Sequence, residues 1–231
     1  MAFITTLMKN ARVKRVWYAL LQIKRAIIDG YYSIYSLSIK VAGGTGIHPF
    51  ETETVVWDDL RFPVSSTKKL AGKEPTSVVY KGGLVWSFED SKDMGIAFNA
   101  QLPHSYKLGE NIEFHIHATI SEDGRNAGGV ENIKLDLTYS WAYVDGEFPT
   151  VKTITETFDV TKDIAGRHFL FDLGDIPVSD ANGSQEVSSM LICSLTRDVS
   201  VANNYTHDLY FMEADFHIPS DTLGSRTKTA K

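Results

Sequence analysis

The sequence predicts an all-β fold, an antiparallel sandwich or barrel of eight or nine strands, behind an N-terminal amphipathic α-helix. Three observations carry this expectation. From about Thr52 onward, apolar and polar residues alternate in short runs rich in β-branched and aromatic side chains. Turn-forming residues punctuate the runs, and no helix-period segment lies between them, which leaves no βαβ unit. The size is right for one domain with an appendage: 231 residues, 43% hydrophobic and 23% charged. Aromatics at 11%, with 17 Gly and 7 Pro, exclude disordered, collagen-like and coiled-coil chains.

The helix comes first. Over Thr5 to Asp29, Val13, Val16, Trp17, Leu20, Ile23 and Ile27 recur every three to four residues, with Lys14, Arg15, Lys24 and Arg25 between them and Gly30 as a stop. Its longest clean apolar stretch, Val16–Leu21, falls far short of the ~20 residues a membrane span needs, and it lacks the cleavage pattern of a signal peptide. Residues 1–30 hold six basic side chains against one acid, a net +5, while the other 201 hold 17 against 28, a net −11. Three readings of this basic arm stand: a membrane-surface anchor, a docking arm for a partner, or a helix packed on its own domain. In the docking reading the contact residues are Arg12, Val13, Val16, Trp17, Leu20, Ile23 and Ile27. The acidic body does not suit a nucleic acid.

A linker follows over 31–51, with a short extended piece at Tyr32–Ile39 and the flexible Gly43-Gly44-Thr45-Gly46; the β domain then occupies 52–226 and a tail 227–231. Strands are expected near Val78–Tyr80, Leu84–Glu89, Gly95–Gln101, Asn111–Ile120, Asn132–Val144, Val151–Val160, His168–Leu173, Val187–Arg197 and His207–Ile218. Turns fall at Lys81-Gly82-Gly83, Glu122-Asp123-Gly124, Asp145-Gly146 and Asn182-Gly183. Alternation assigns the faces. Ile112, Phe114, Ile116, Ala118 and Ile120 point inward, and Glu113, His115, His117 and Thr119 face water. Ile133, Leu135, Leu137, Tyr139, Trp141 and Tyr143 form a second core stripe, and Tyr210, Met212, Ala214, Phe216 and Ile218 a third, opposite Glu213, Asp215 and His217. Val187–Leu195 is apolar on both faces and belongs at the centre of a sheet.

The sharpest chemical pattern is His115-Ile116-His117, because an H-x-H pair on a strand projects two imidazoles to one side. A third ligand would come from Glu213, Asp215 or His217 on the polar face of the last strand. A wet strand face accounts for the pair without any ion, so His115, His117 and His217 are candidates only, and neither a metal site nor a cofactor is assigned. Cys193, the single cysteine, excludes an internal disulfide and lies in the most apolar strand as an inert small hydrophobe. No G-x-S-x-G elbow is present. Asp58-Asp59, Glu89-Asp90 and Glu122-Asp123 read as solvated acids in turns or loops. The glycine run at 42–46 lacks the lysine and following helix of a phosphate loop.

Five stretches together carry a resemblance: Val56-Trp57-Asp58-Asp59-Leu60-Arg61-Phe62-Pro63; Gln101 through Gly109; His115-Ile116-His117; Ser189-Met190-Leu191-Ile192-Cys193; and Asp215 through Arg226 with its Asp221-Thr222-Leu223-Gly224-Ser225-Arg226 ending. Over about residues 55–226 the chain resembles a family of uncharacterised virion structural proteins of tailed bacteriophages and environmental viruses. Ala118 stands where that pattern commonly carries tryptophan. The resemblance implies a jelly-roll β-sandwich without known catalysis, located in the virion, and supplies no site residues. The expected role is decorating or cementing the capsid, or attachment to the neck or tail, as a homotrimer bound to other virion proteins through the arm. The alternatives are a receptor- or glycan-binding module of a tail fibre, with a host-surface glycan as partner, and a metal-dependent jelly-roll enzyme using the H-x-H strand.

Overall fold

Period-two alternation buries one side of each strand, and the strands that do so stack into two sheets. The computed structural model describes residues 56–124, 130–161, 164–202 and 204–225. The chain divides into two units, Met1–Glu51 and Thr52–Lys231, and everything described lies in the second. The arm residues Arg12, Val13, Val16, Trp17, Leu20, Ile23 and Ile27, the linker and the tail fall outside the described residues.

Twelve strands are present among the described residues: β1 (Val56–Pro63), β2 (Lys68–Lys69), β3 (Thr76–Tyr80), β4 (Gly83–Phe88), β5 (Met94–Gln101), β6 (Ile112–Ile120), β7 (Glu131–Ala142), β8 (Lys152–Val160), β9 (Phe169–Ile176), β10 (Ala181–Asn182), β11 (Met190–Asp198) and β12 (Leu209–Ser220). One sheet runs β3-β4-β12-β6-β9, with β1 also on β12; the other runs β10-β7-β11-β5-β2, with β8 also on β7. Every pairing is antiparallel except the two-residue contact of β10 with β7. Take the eight principal strands β4, β5, β6, β7, β8, β9, β11 and β12 in chain order. The sheets then read first-eighth-third-sixth and second-seventh-fourth-fifth, the double Greek key of a jelly roll. The choice between barrel and sandwich is thereby made: two open sheets enclose one core.

All nine expected strands are present, but the count of eight or nine was too low, because β1, β2 and β10 add to it. β1 reads poorly as a strand, with Asp58, Asp59 and Pro63, and exists because it pairs with β12 along its whole length, from Val56 opposite Ser220 to Pro63 opposite Glu213. Asp58-Asp59 is therefore in a strand, not in a turn. The stripe on β12 also needs correction. A bulge between Phe211 and Glu213 switches its phase, so Leu209 and Phe211 are buried before it and Ala214, Phe216 and Ile218 after it. Tyr210 and Met212 are consequently not core residues, and the Tyr210 ring lies against Tyr80 at 5.0 Å. The stripe on β7 holds throughout, with Ile133, Leu135, Leu137, Tyr139, Trp141 and Tyr143 all buried. β11 is central, between β7 and β5, yet only its inner face is covered, because Ile192 remains 48% exposed.

Lys81 and Gly82 turn the β3–β4 hairpin with φ of 50° and 86°, the doubly left-handed geometry that a two-residue hairpin prefers.

Candidate functional site

The outer face of the first sheet carries a checkerboard of imidazoles and carboxylates. Strand register dictates it. Across β1, β12, β6 and β9 the rows read Asp59, His217, Glu113, Asp175; then Arg61, Asp215, His115, Asp172; then Pro63, Glu213, His117, Leu170. Six carboxylates thus share one sheet face with three histidines and one guanidinium. Two bulges bracket the patch. One is on β12 at Met212, and the other is on β9 at Leu173, beside His115, where Gly174 takes φ 88° and Asp172 accepts its N–H at 2.8 Å. Bulges re-aim the side chains next to them.

This face was expected to be wet, and at its centre it is not. The His115 and Asp215 side chains are 4% and 3% exposed, and Thr119 is fully buried. His115 and Asp215 are direct cross-strand neighbours on β6 and β12, with His115 Nε2 3.5 Å from Asp215 Oδ2. His117, two residues on, places its own Nε2 2.9 Å from the same oxygen. His117 Nδ1 meets His168 Nε2 at 2.6 Å. Asp215 Oδ1 is buried and has no hydrogen-bond partner among the described residues.

His217 turns away from this group. Its Nε2 lies 2.9 Å from Asp59 Oδ1 and its Nδ1 3.6 Å from Glu113, although its ring sits 4.3 Å from that of His115. Of the three possible third partners for the H-x-H pair, Asp215 is the one both imidazoles approach, although Glu213 stands opposite His117 in register. Arg61 binds Glu213, which keeps that carboxylate occupied at the edge.

Environment separates the titration of the buried pair. Burial pushes the His115 imidazole down to about 4, helped by the neighbouring His217 and His117 rings and opposed by Asp59 and Asp172. At neutral pH it is an uncharged ligand-type nitrogen. Burial also pushes the Asp215 carboxyl up to about 6, with the adjacent Glu213 acting in the same direction and His117 against it.

Other sequence candidates resolve plainly. Cys193 is buried on the inner face of β11, and burial pushes its thiol up, far from a reactive thiolate. A serine–histidine pairing does exist at His104, whose Nε2 meets Ser188 Oγ and whose Nδ1 meets Ser225 Oγ, both at 2.7 Å. A hydroxyl holds Nδ1 where a catalytic triad would need a carboxylate. Asp123 accepts the backbone N–H groups of Ile164 and Ala165 at 2.8 and 2.6 Å, so it shapes a loop. Among exposed aromatics, the structure singles out Trp57 and Phe148, each 47% exposed. Trp57 borders a shallow hollow of about 260 Å³ lined by Gly109, Glu110, Asn111, Glu113, Asp175 and Pro219. Sequence reasoning missed His168, Asp172, Asp59 and Arg61 as members of this face, because their only signal is register with β6 and β12.

No family model matches the chain, and no curated protein does. Among solved structures it is similar to that of infectious bursal disease virus Gx strain, with 16% identity and a TM-score of 0.31 over 75% of this chain and 37% of the viral one. The VP2 subviral particle of the same virus gives 15% identity and a TM-score of 0.30, over 74% and 36%. TmCBM61 in complex with β-1,4-galactotriose gives 10% identity and a TM-score of 0.28, over 71% and 88%. The chain thus spans less than half the length of the viral chains it matches. Likenesses this remote assign neither family nor function, and the jelly-roll description rests on the strand order.

Proposed function

We propose that this chain is a non-enzymatic structural protein of a virion, related to tailed-phage virion proteins. Its body would decorate or cement the capsid or sit at the neck or tail, as a trimer docked through the basic N-terminal arm. One observation supports this reading best: the five stretches that carry the resemblance are joined in space, with His115 opposite Asp215 and the other four in one seam. β1 pairs with β12 from Val56 to Pro63; Tyr106 bridges Ser220; the Lys107 N–H donates to Pro219 O at 2.7 Å, and the Asp221 N–H to Ser105 O at 3.2 Å. The Leu102 N–H donates to Ser189 O at 2.9 Å, and Met190 pairs with Gln101. The motifs close the sandwich by backbone pairing, which supports a shared fold, and the virion role is carried over from the resemblance. The charge split, +5 on residues 1–30 against −11 on the rest, adds a means of docking an arm on an acidic partner. Deleting residues 1–30 is expected to leave a soluble β domain that no longer incorporates into particles, read by mass spectrometry of purified virions. Normal incorporation refutes the docking arm, and absence of the intact chain from purified virions refutes the virion role. Light scattering of the intact chain reads the trimer.

A second reading has its own observation. The half-exposed Trp57 beside Glu110, Asn111, Glu113 and Asp175 combines an aromatic platform with hydrogen-bonding groups, the composition of a sugar site. If the body binds a host-surface glycan, the isolated protein adsorbs to host cells and Trp57→Ala does not.

A further inference from the structure

We propose that His115, His117 and Asp215 form a binding site for one divalent first-row transition-metal ion, zinc being the reference case. The inference rests on geometry alone and stands whether or not the chain belongs to a virion.

The donor atoms converge. One nitrogen from each imidazole and one carboxylate oxygen all lie within 4.8 Å of one another. Bonds of about 2.0–2.1 Å from a tetrahedral ion place its ligand atoms about 3.3 Å apart. The His117–Asp215 and His115–Asp215 separations, 2.9 and 3.5 Å, bracket that value. The atoms come from two strands held in fixed register, and the two imidazole nitrogens, within 4.8 Å of each other, close on the ion by side-chain rotation.

Hydrogen bonding without an ion can serve Asp215 Oδ2 but leaves one acceptor open. Two ring nitrogens aim at one oxygen, Asp215 Oδ2, while the carboxylate's other oxygen is buried with no hydrogen-bond partner among the described residues. A buried carboxylate normally has its acceptors satisfied, and an ion seated among the three donors supplies the missing interaction. His168 completes the pattern: a ligating imidazole usually donates its second N–H to an outer acceptor, and His117 Nδ1 stands 2.6 Å from His168 Nε2. In the tautomer whose Nδ1–H donates there, His117 Nε2 turns its lone pair toward Asp215 and can ligate an ion seated between them.

Two nitrogens and one oxygen select the class of ion. Calcium and magnesium require all-oxygen shells of six or more ligands, and copper(I) prefers thiolates or thioethers, whereas imidazole with carboxylate suits Zn²⁺, Fe²⁺, Co²⁺ and Ni²⁺. Asp59, Glu113, Asp172, Asp175 and Glu213 on the same face draw cations to it. Three protein ligands leave a fourth position for water or an incoming carboxylate, on the side where the His117 side chain is 26% exposed. The bound ion clamps β6 to β12 at the centre of the sheet.

The test uses the full chain without an affinity tag, stripped with chelator and titrated calorimetrically with ZnCl₂, and with CoCl₂ followed by visible absorption. The expected result is one tight equivalent per chain, a tetrahedral Co²⁺ spectrum, and no comparable binding of Ca²⁺ or Mg²⁺. His117→Ala, at a partly exposed position, and the near-isosteric Asp215→Asn each abolish that equivalent. His168→Ala weakens it about 10- to 100-fold, and His207→Ala leaves it unchanged. Circular dichroism verifies that each variant is folded. If Asp215→Asn fails to fold, His117→Ala and the Co²⁺ spectrum of the wild type decide. Absence of a stoichiometric site in the wild type, or its persistence in folded His117→Ala, overturns the proposal.

Discussion

Replacing Arg197 with methionine tests how the two sheets are held at one end. Arg197 is the penultimate residue of β11 and is fully buried, and burial lowers its pKa to about 10. Its guanidinium donates to Phe88 O and His207 O at 2.7 Å each and to Tyr205 O, and lies 5.6 Å from the Tyr205 ring. One side chain therefore ties the end of β4, in the opposite sheet, to the connection between β11 and β12. Methionine keeps the unbranched apolar stem, about two atoms shorter, and removes every donor. Each carbonyl left unpaired costs about 1–2 kcal/mol, so three cost about 4 kcal/mol. Removing a buried charge returns about 1 kcal/mol of desolvation, which leaves a net loss of about 3 kcal/mol. That is a large share of the roughly 5–15 kcal/mol typical of a domain. Urea unfolding reads it as a lowered midpoint at unchanged slope, and hydrogen exchange reads earlier opening of the amides of residues 199–202 and 204–208. Arg197→Lys, which restores one ammonium but not the fork, falls between the two. A loss under about 1 kcal/mol for the methionine variant would mean that water replaces the donors, and would refute the assignment of Arg197 as the tie.

Three further predictions concern the site and the core. In chelator, Asp215 binds its proton more tightly in the folded protein than in the unfolded chain, at about 6 against an ordinary carboxyl value of 3.8, so it takes stability away as pH rises through that window. Asp215→Asn therefore gains on the wild type between pH 4 and 6.5, by an amount on the order of 3 kcal/mol; a difference independent of pH would show that the carboxyl is not desolvated. His115 works in the opposite direction, its stability present above 6.5 and lost as pH falls toward 4, so the variant itself is destabilised by acid across the window in which the wild type changes little. Cys193, 3% exposed, is expected to react with a thiol reagent only at the rate of unfolding, and fast labelling of the native protein would contradict its burial. Gly95→Ala places a methyl carbon 2.7 Å from Leu195 O and 2.8 Å from Thr196 Oγ1 in the β5–β11 pairing, and a melting temperature equal to wild type would contradict that contact, which should cost about 1–3 kcal/mol.

Much of the fold was legible because a strand's buried face is a local property. Alternation alone located nine strands and the unbroken stripe on β7, and it put His115 and His117 on the same side of β6. It failed where pairing overrode the local pattern. β1 became a strand through β12 despite two aspartates, and the bulge at Met212 reversed the phase that Tyr210 and Met212 seemed to share with Phe216. Arg197 ends an apolar run with nothing local to mark it as buried, and its burial depends on carbonyls 109 and 10 residues away in the chain. The choice of Asp215 over Glu213 and His217 as the third member of the cluster depends likewise on distant strands, because Arg61 of β1 takes Glu213 and Asp59 of β1 takes His217. The period of a strand says which side each residue faces, whereas register says which residue stands opposite, and register is a long-range property of two strands at once. The sequence by itself thus determined the all-β class, nine of the strands, the core stripes of β6 and β7 and the pair of imidazoles. Only the tertiary structure decided the jelly-roll order, the burial of His115, Asp215 and Arg197, and which carboxylate the imidazoles meet.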